Sequence, residues 1–215
     1  MKKAGKWLLA TALTAVLAFS MISCAASDGL NTFLRIASRG IETVASLDDV
    51  DAIDMADQAL DDLDAQLDLQ VALLNVSVDL TPAEKVAMIR ALRLEMRLTH
   101  EAIVAQREAL RAAHTALKVD VAAFREAGGI LSEADKARVA ELTQELRTIG
   151  ASLRDSIGLA YQQMRSLRGK YQLQNLDLVL QTHQEVQAVL TLRLANLERL
   201  NAIFAELSGM IADGE

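Results

Sequence analysis

The chain has 215 residues and a formal net charge of −7, with 52% hydrophobic residues and only 3% aromatic residues. An acidic chain is repelled by phosphate backbones and anionic lipid headgroups, so we do not expect a nucleic-acid-binding protein. A single cysteine excludes an intramolecular disulfide, and packing alone must hold the fold. The dominance of alanine and leucine, with one proline, predicts long helices.

The N-terminus has the pattern of a secretory signal peptide. Three lysines at positions 2, 3 and 6 precede an uncharged stretch from Trp7 to Ile22. This stretch is short for a membrane-spanning helix but typical of the apolar region of a signal peptide. We therefore predict a signal peptide over residues 1–23, a tether over 24–29 and a single helical domain over 30–215.

The segment Met21-Ile22-Ser23-Cys24 resembles the lipobox of bacterial lipoproteins. The resemblance implies that Cys24 becomes the first residue of the mature protein and carries acyl chains such as palmitate, which bind the membrane. Two acyl chains anchor a protein stably, whereas one binds only marginally. Ala25 stands where many inner-membrane lipoproteins have aspartate. This implies the outer membrane, facing the periplasm, in a two-membrane cell, and the outer face of the cell membrane in a one-membrane cell. A free buried thiol is the alternative for Cys24.

Turn and capping signals predict four helices, at about residues 30–77, 82–127, 132–168 and 176–211. The clearest start signal is LTPAE, in which Thr81, Pro82 and Glu84 form a capping box. The glycine pair at 128–129 ends one helix, and Ser132 caps the next. Short connections make consecutive helices antiparallel. The predicted fold is all-α, an elongated antiparallel up-down-up-down four-helix bundle with coiled-coil-like seams.

Apolar residues at alternating three- and four-residue spacing predict the core. In the second predicted helix this seam consists of Ile89, Leu92, Met96, Ile103, Leu110, Ala113, Leu117 and Phe124. Thr99, Gln106 and Asp120 are polar residues on the same seam. Equivalent seams run from Val139 to Leu167 and from Val179 to Ile211.

The first predicted helix carries an acidic stripe beside its seam, and the second carries a basic one. The stretch DDVDAIDMADQALDDLDAQLD, residues 48–68, has nine aspartates and no positive charge. An antiparallel hairpin that turns near residues 78–80 places the two stripes opposite each other, at residue numbers that sum to about 158. The predicted ion-pair ladder joins Asp68, Asp64, Asp61, Asp57 and Asp51 to Arg90, Arg93, Arg97, His100 and Arg107, respectively. Exposed pairs contribute only about 0.2–1 kcal/mol each, so the ladder fixes register more than it stabilises.

No pattern of residues predicts an enzyme, a cofactor or a metal. The acidic stretch lacks the glycine of a calcium loop, and His100 and His114 are too far apart on one helix to share an ion. A protein partner surface is predicted at two places. The apolar hairpin tip has Val71, Leu73 and Val76, unless other helices cover it. Gly150 and Gly158 indicate either close helix packing or a flexible point or groove for a partner.

Two functions follow from these patterns. The first is a non-enzymatic, lipid-anchored extracytoplasmic helical protein that acts as an adaptor, spacer or envelope-interaction module for an envelope protein. The alternative is a periplasmic chaperone-like or stress-response protein. Residues Leu80–Glu84, LTPAE, resemble the LTxxQ motif of the Spy and CpxP family, with Glu84 in place of glutamine.

Overall fold

The computed structural model describes residues 29–44 and 80–213, and every regular element in these ranges is helical. The all-α prediction is therefore confirmed. In chain order the helices are α1 over residues 29–44, α2 over Pro82–Glu126, α3 over Glu133–Asp155, α4 over Leu159–Ser166 and α5 over Leu176–Asp213. A 3-10 turn over Leu173–Asn175 immediately precedes α5.

Two helix starts have the capping geometry that the sequence predicts. The amide of Glu84 donates to Thr81 Oγ1 at 3.3 Å, and the amide of Thr81 donates to Glu84 Oε2 at 2.7 Å. At the start of α3 the amide of Asp135 donates to Ser132 Oγ at 3.1 Å. Each cap satisfies amides that a helix start leaves unpaired, and one such cap is typically worth about 1 kcal/mol.

The prediction of one continuous third helix over residues 132–168 is wrong. α3 ends at Asp155, α4 begins at Leu159, and Gly158 between them has a φ of +73°. That left-handed conformation cannot continue a right-handed helix, and glycine adopts it without a Cβ penalty. The seam spacing passes through the break unchanged, because Leu153, Ala160 and Leu167 are all buried. The spacing of the apolar residues therefore did not indicate the break between α3 and α4.

The structure divides into two compact units, and the described part of the first consists of residues 29–40, 111–148 and 202–213. At its core the ring of Phe204 lies 5.8 Å from that of Phe33 and 6.0 Å from that of His114. Ser38 Oγ lies 3.1 Å from His114 Nε2. Arg138 binds both carboxylate oxygens of Glu206, at 2.6 and 3.2 Å, in a bidentate ion pair.

The described part of the second unit consists of residues 41–44, 80–110 and 149–201. Two polar seam residues of α2 have hydrogen-bond partners on α5 within this unit. Gln187 Nε2 donates to Thr99 Oγ1 at 3.0 Å, and Asn201 Nδ2 donates to Gln106 Oε1 at 2.6 Å. A buried polar group costs free energy unless it is hydrogen-bonded, so these pairs explain why polar residues are tolerated on an apolar seam.

Most apolar members of the predicted seams of α2 to α5 are buried. The buried members include Ile89, Met96, Ile103, Leu110, Leu142, Leu153, Val186, Leu190, Leu197 and Leu207. Leu92 and Ala113 are half-buried. None of the helices in the described ranges is long and apolar enough to span a membrane.

Candidate partner-binding surfaces

The face of α2 opposite its buried seam is apolar and exposed. Leu94 and Leu98, one helical turn apart, are 59% and 57% exposed. Exposed alanines extend the same face, at Ala87, Ala91, Ala105 and Ala109. Soluble proteins rarely expose contiguous apolar surface unless it contacts a partner. We call this set of leucines and alanines the α2 outer face.

The α2 outer face has its own helical spacing, which was not predicted from the sequence. Each of Ala91, Leu94 and Leu98 lies two residues after a member of the buried seam. Two residues correspond to a rotation of about 200°, which places them on the opposite side of the helix. This second apolar pattern was the available signal, but the sequence does not say whether another helix covers it as well.

Charged side chains border the α2 outer face. Arg90, Arg97, Glu101 and Glu108 are all exposed and lie along one edge of it. An apolar centre with a charged and solvated rim is the usual anatomy of a protein interface. The α2 outer face is therefore a candidate surface for another helix.

The break between α3 and α4 is held from inside by a buried arginine of α5. Arg193 is 1% exposed, and its Nε donates to Ser156 Oγ at 2.9 Å. Its guanidinium also donates to the backbone carbonyl of Ser156. Next to it, Asn196 Nδ2 donates to Ser152 Oγ at 3.1 Å. The end of a helix leaves carbonyls without intrahelical partners. Here the Ser156 carbonyl accepts from the amide of Leu159 at 3.2 Å and from the charged guanidinium of Arg193.

On the outside, the same break exposes apolar side chains. Ile157 and Leu159, on either side of Gly158, are each 40% exposed. Close helix packing does not explain the glycines here. A Cβ added at Gly150 would meet nothing within 4 Å, and one at Gly158 would meet only the Gln162 side chain, at 3.8 Å. The interpretation of Gly150 and Gly158 as close-packing residues is therefore wrong, while a partner groove near them stays a prediction.

The structure describes only some of the other predicted site residues. Cys24, the ladder aspartates at 51, 57, 61, 64 and 68, and the tip residues Val71, Leu73 and Val76 lie outside the described residues. The basic half of the ladder lies on α2, where Arg90 and Arg97 are exposed and Arg93, His100 and Arg107 are half-buried. The ladder, the anchor and the tip surface all stay predictions. Within the described ranges, no group of three or more acidic, histidine or cysteine side chains is placed to hold a metal ion.

In comparisons with known proteins, no family model matches the chain, and neither a curated protein nor a solved structure matches it.

Proposed function

We propose that the chain is a non-enzymatic, lipid-anchored extracytoplasmic protein that works as an adaptor or envelope-interaction module. The observation that carries this proposal is the α2 outer face, with Leu94 and Leu98 more than half exposed. Full burial of a leucine side chain contributes about 1.5–3 kcal/mol, so a partner that covers both residues gains appreciable free energy. The partner is an envelope protein that offers a complementary apolar helix.

The proposed anchor is Cys24, acylated after removal of residues 1–23. Its support is the lipobox-like segment and the charged and apolar regions that precede it. In this proposal the acyl chains hold the protein on the extracytoplasmic side of the membrane. A Cys24→Ser variant is expected to lose labelled palmitate and to leave the membrane fraction.

The proposed arrangement is an antiparallel up-down-up-down bundle. In the first unit, Arg125 donates to Asn31 at 2.5 Å and His114 lies beside Ser38, so residue numbers fall along α2 as they rise along α1. The residue numbers of each pair add up to 156 and 152, close to the predicted sum of about 158. These contacts support an antiparallel pairing of α1 with α2.

Contacts of α5 in the second unit support the same arrangement. Lys85 pairs with Asp177 at 2.6 Å, and Thr99 and Gln106 bond to Gln187 and Asn201, so residue numbers rise together along α2 and α5. An up-down-up-down order requires the second and fourth predicted helices, which correspond to α2 and α5, to be parallel. Between α3 and α5 the contacts support an antiparallel pairing. Ser152 bonds to Asn196 and Ser156 to Arg193, so residue numbers fall along α5 as they rise along α3.

Crosslinking in intact cells, with purification through a C-terminal tag and mass spectrometry, tests the proposed function. The wild-type chain is expected to capture one or two stoichiometric envelope proteins, and a Leu94→Glu/Leu98→Glu variant is expected to lose them. Leu192→Glu is the matched control, because Leu192 on α5 is 54% exposed and lies off the α2 outer face. This control should keep the partner.

Two results would contradict the adaptor proposal. A broad spread of unrelated, partly unfolded clients would favour the chaperone-like alternative. Equal capture by the double variant and by the Leu192→Glu control would show that the α2 outer face does not bind the partner. The structure already gives the LTPAE segment a local role, because Thr81 and Glu84 are hydrogen-bonded to each other in the capping box.

A further inference from the structure

Three buried polar side chains of the second unit have hydrogen-bonding atoms that no described residue satisfies. Tyr171, in the connection between α4 and α5, is 8% exposed, and His183 and Gln187 on α5 are 0% and 8% exposed. On these three side chains the atoms without a partner in the described part of the chain are Tyr171 Oη, His183 Nε2 and Gln187 Oε1. Other such atoms lie on the half-buried side chains of His100, Gln163 and Asn201. Native proteins satisfy most buried polar atoms with protein groups or with ordered water.

The protonation state of His183 follows from its other ring nitrogen. Nδ1 lies 2.8 Å from the backbone carbonyl of Val179, which can only accept, so Nδ1 carries a proton and donates it. Burial lowers the pKa of His183, which keeps the ring neutral at pH 7. Nε2 is therefore an acceptor that needs a donor.

Tyr171 supplies a hydrogen-bond donor. Burial raises the pKa of its phenol, so the hydroxyl stays protonated and can donate. Its ring packs edge-to-face on His183, with centroids 6.2 Å apart. The positive charge of Arg93 lowers the pKa of both groups, and in each case burial is the larger effect.

Gln187 adds a second acceptor. It follows His183 by one helical turn, which places the two side chains side by side on α5. Its Nε2 donates to Thr99 Oγ1 at 3.0 Å, and this bond orients the amide so that Oε1 is the free end. The three side chains thus offer one donor and two acceptors.

We propose that Tyr171 Oη, His183 Nε2 and Gln187 Oε1 line an internal site that binds water. Water accepts from the tyrosine hydroxyl and donates to the imidazole and to the amide oxygen. Buried water typically makes about three hydrogen bonds to otherwise unsatisfied groups, which matches this set. The site links the α4–α5 connection to α5, and it is independent of the proposed partner surface.

The stability of a Tyr171→Phe variant of the full chain tests this proposal. A hydroxyl that donates to bound water loses a hydrogen bond when it is removed, so the urea midpoint of unfolding should fall. A hydroxyl that is unsatisfied costs free energy in the native state, so its removal should raise the midpoint. Tyr161→Phe is the matched control, because Tyr161 on α4 is half-buried. A raised or unchanged midpoint for Tyr171→Phe would overturn the proposal.

A second measurement separates water from a protein partner of the hydroxyl. In the full chain labelled with ¹⁵N-histidine, His183 Nε2 should have the chemical shift of a hydrogen-bonded acceptor, and the carbon-bound ring protons next to it should show magnetisation transfer from bound water. The resonance is assigned by its loss in a His183→Gln variant. A shift typical of a free acceptor, without transfer from water, would refute the site even if Tyr171→Phe were destabilised.

Discussion

At the residue scale, Arg193 is the most unusual side chain, because a fully buried guanidinium bonds to the end of α3. Replacing it with methionine keeps much of the volume but leaves the Ser156 carbonyl without this donor. We expect Arg193→Met to lower the free energy of unfolding by about 1–3 kcal/mol, measured by urea denaturation. The exposed Arg165 is the control, and Arg165→Met should change the free energy of unfolding by less than about 0.5 kcal/mol. Equal stability of the two variants would mean that Arg193 does not hold the break.

His183 makes stability depend on pH. Burial, the largest cause, and the nearby Arg93 lower its pKa below the usual 6.5, while its bond to Val179 acts in the opposite direction. The unfolded chain therefore binds more protons than the folded chain below pH 6.5, so stability is full above that pH and falls as the pH decreases. We expect His183→Gln to lose less stability than wild type between pH 7.5 and pH 5.5, measured by urea unfolding at each pH. The same loss in both proteins would contradict this.

At the element scale, the two glycines of the predicted third helix should respond to alanine in opposite directions. Gly158 has a φ of +73°, so Gly158→Ala should destabilise by about 1–2 kcal/mol. Gly150 lies inside α3 with open space at its Cβ position, so Gly150→Ala should stabilise by about 0.5–1 kcal/mol. Thermal unfolding of the two single variants checks both signs. Destabilisation by Gly150→Ala would show that this position has a constraint beyond helix propensity.

At the scale of the whole molecule, the predicted ladder should fix the pairing of the first two helices. Arg93→Asp should destabilise the protein by bringing a like charge against Asp64, and adding Asp64→Arg should restore much of the loss. A double-mutant cycle on urea unfolding measures the coupling, which for residues in contact is about 0.5–3 kcal/mol. Glu108→Arg, a charge reversal at an exposed α2 position outside the ladder, should show no coupling to Asp64→Arg. Absence of coupling between Arg93 and Asp64 would remove the ladder.

Features that depend on neighbouring residues could be predicted from the sequence alone. The bonds of Thr81 with Glu84 and of Ser132 with Asp135 form within four residues, so their residue types predict them. The buried seams were also predictable, because a helix repeats its faces at a fixed period. Ile103, Leu146 and Leu197 are buried as that period requires.

Features that depend on residues far apart in the chain became evident only from the packing of the helices. The seam spacing runs unbroken through Gly158, so the break became visible only with its φ angle and with Arg193, which lies 37 residues after Ser156 and bonds to it. Likewise, the sequence places leucines on two faces of α2, and three-dimensional packing covers one face and exposes Leu94 and Leu98. The physical reason is that burial and long-range hydrogen bonds depend on which helices become neighbours, whereas caps and periodicity are properties of a single helix.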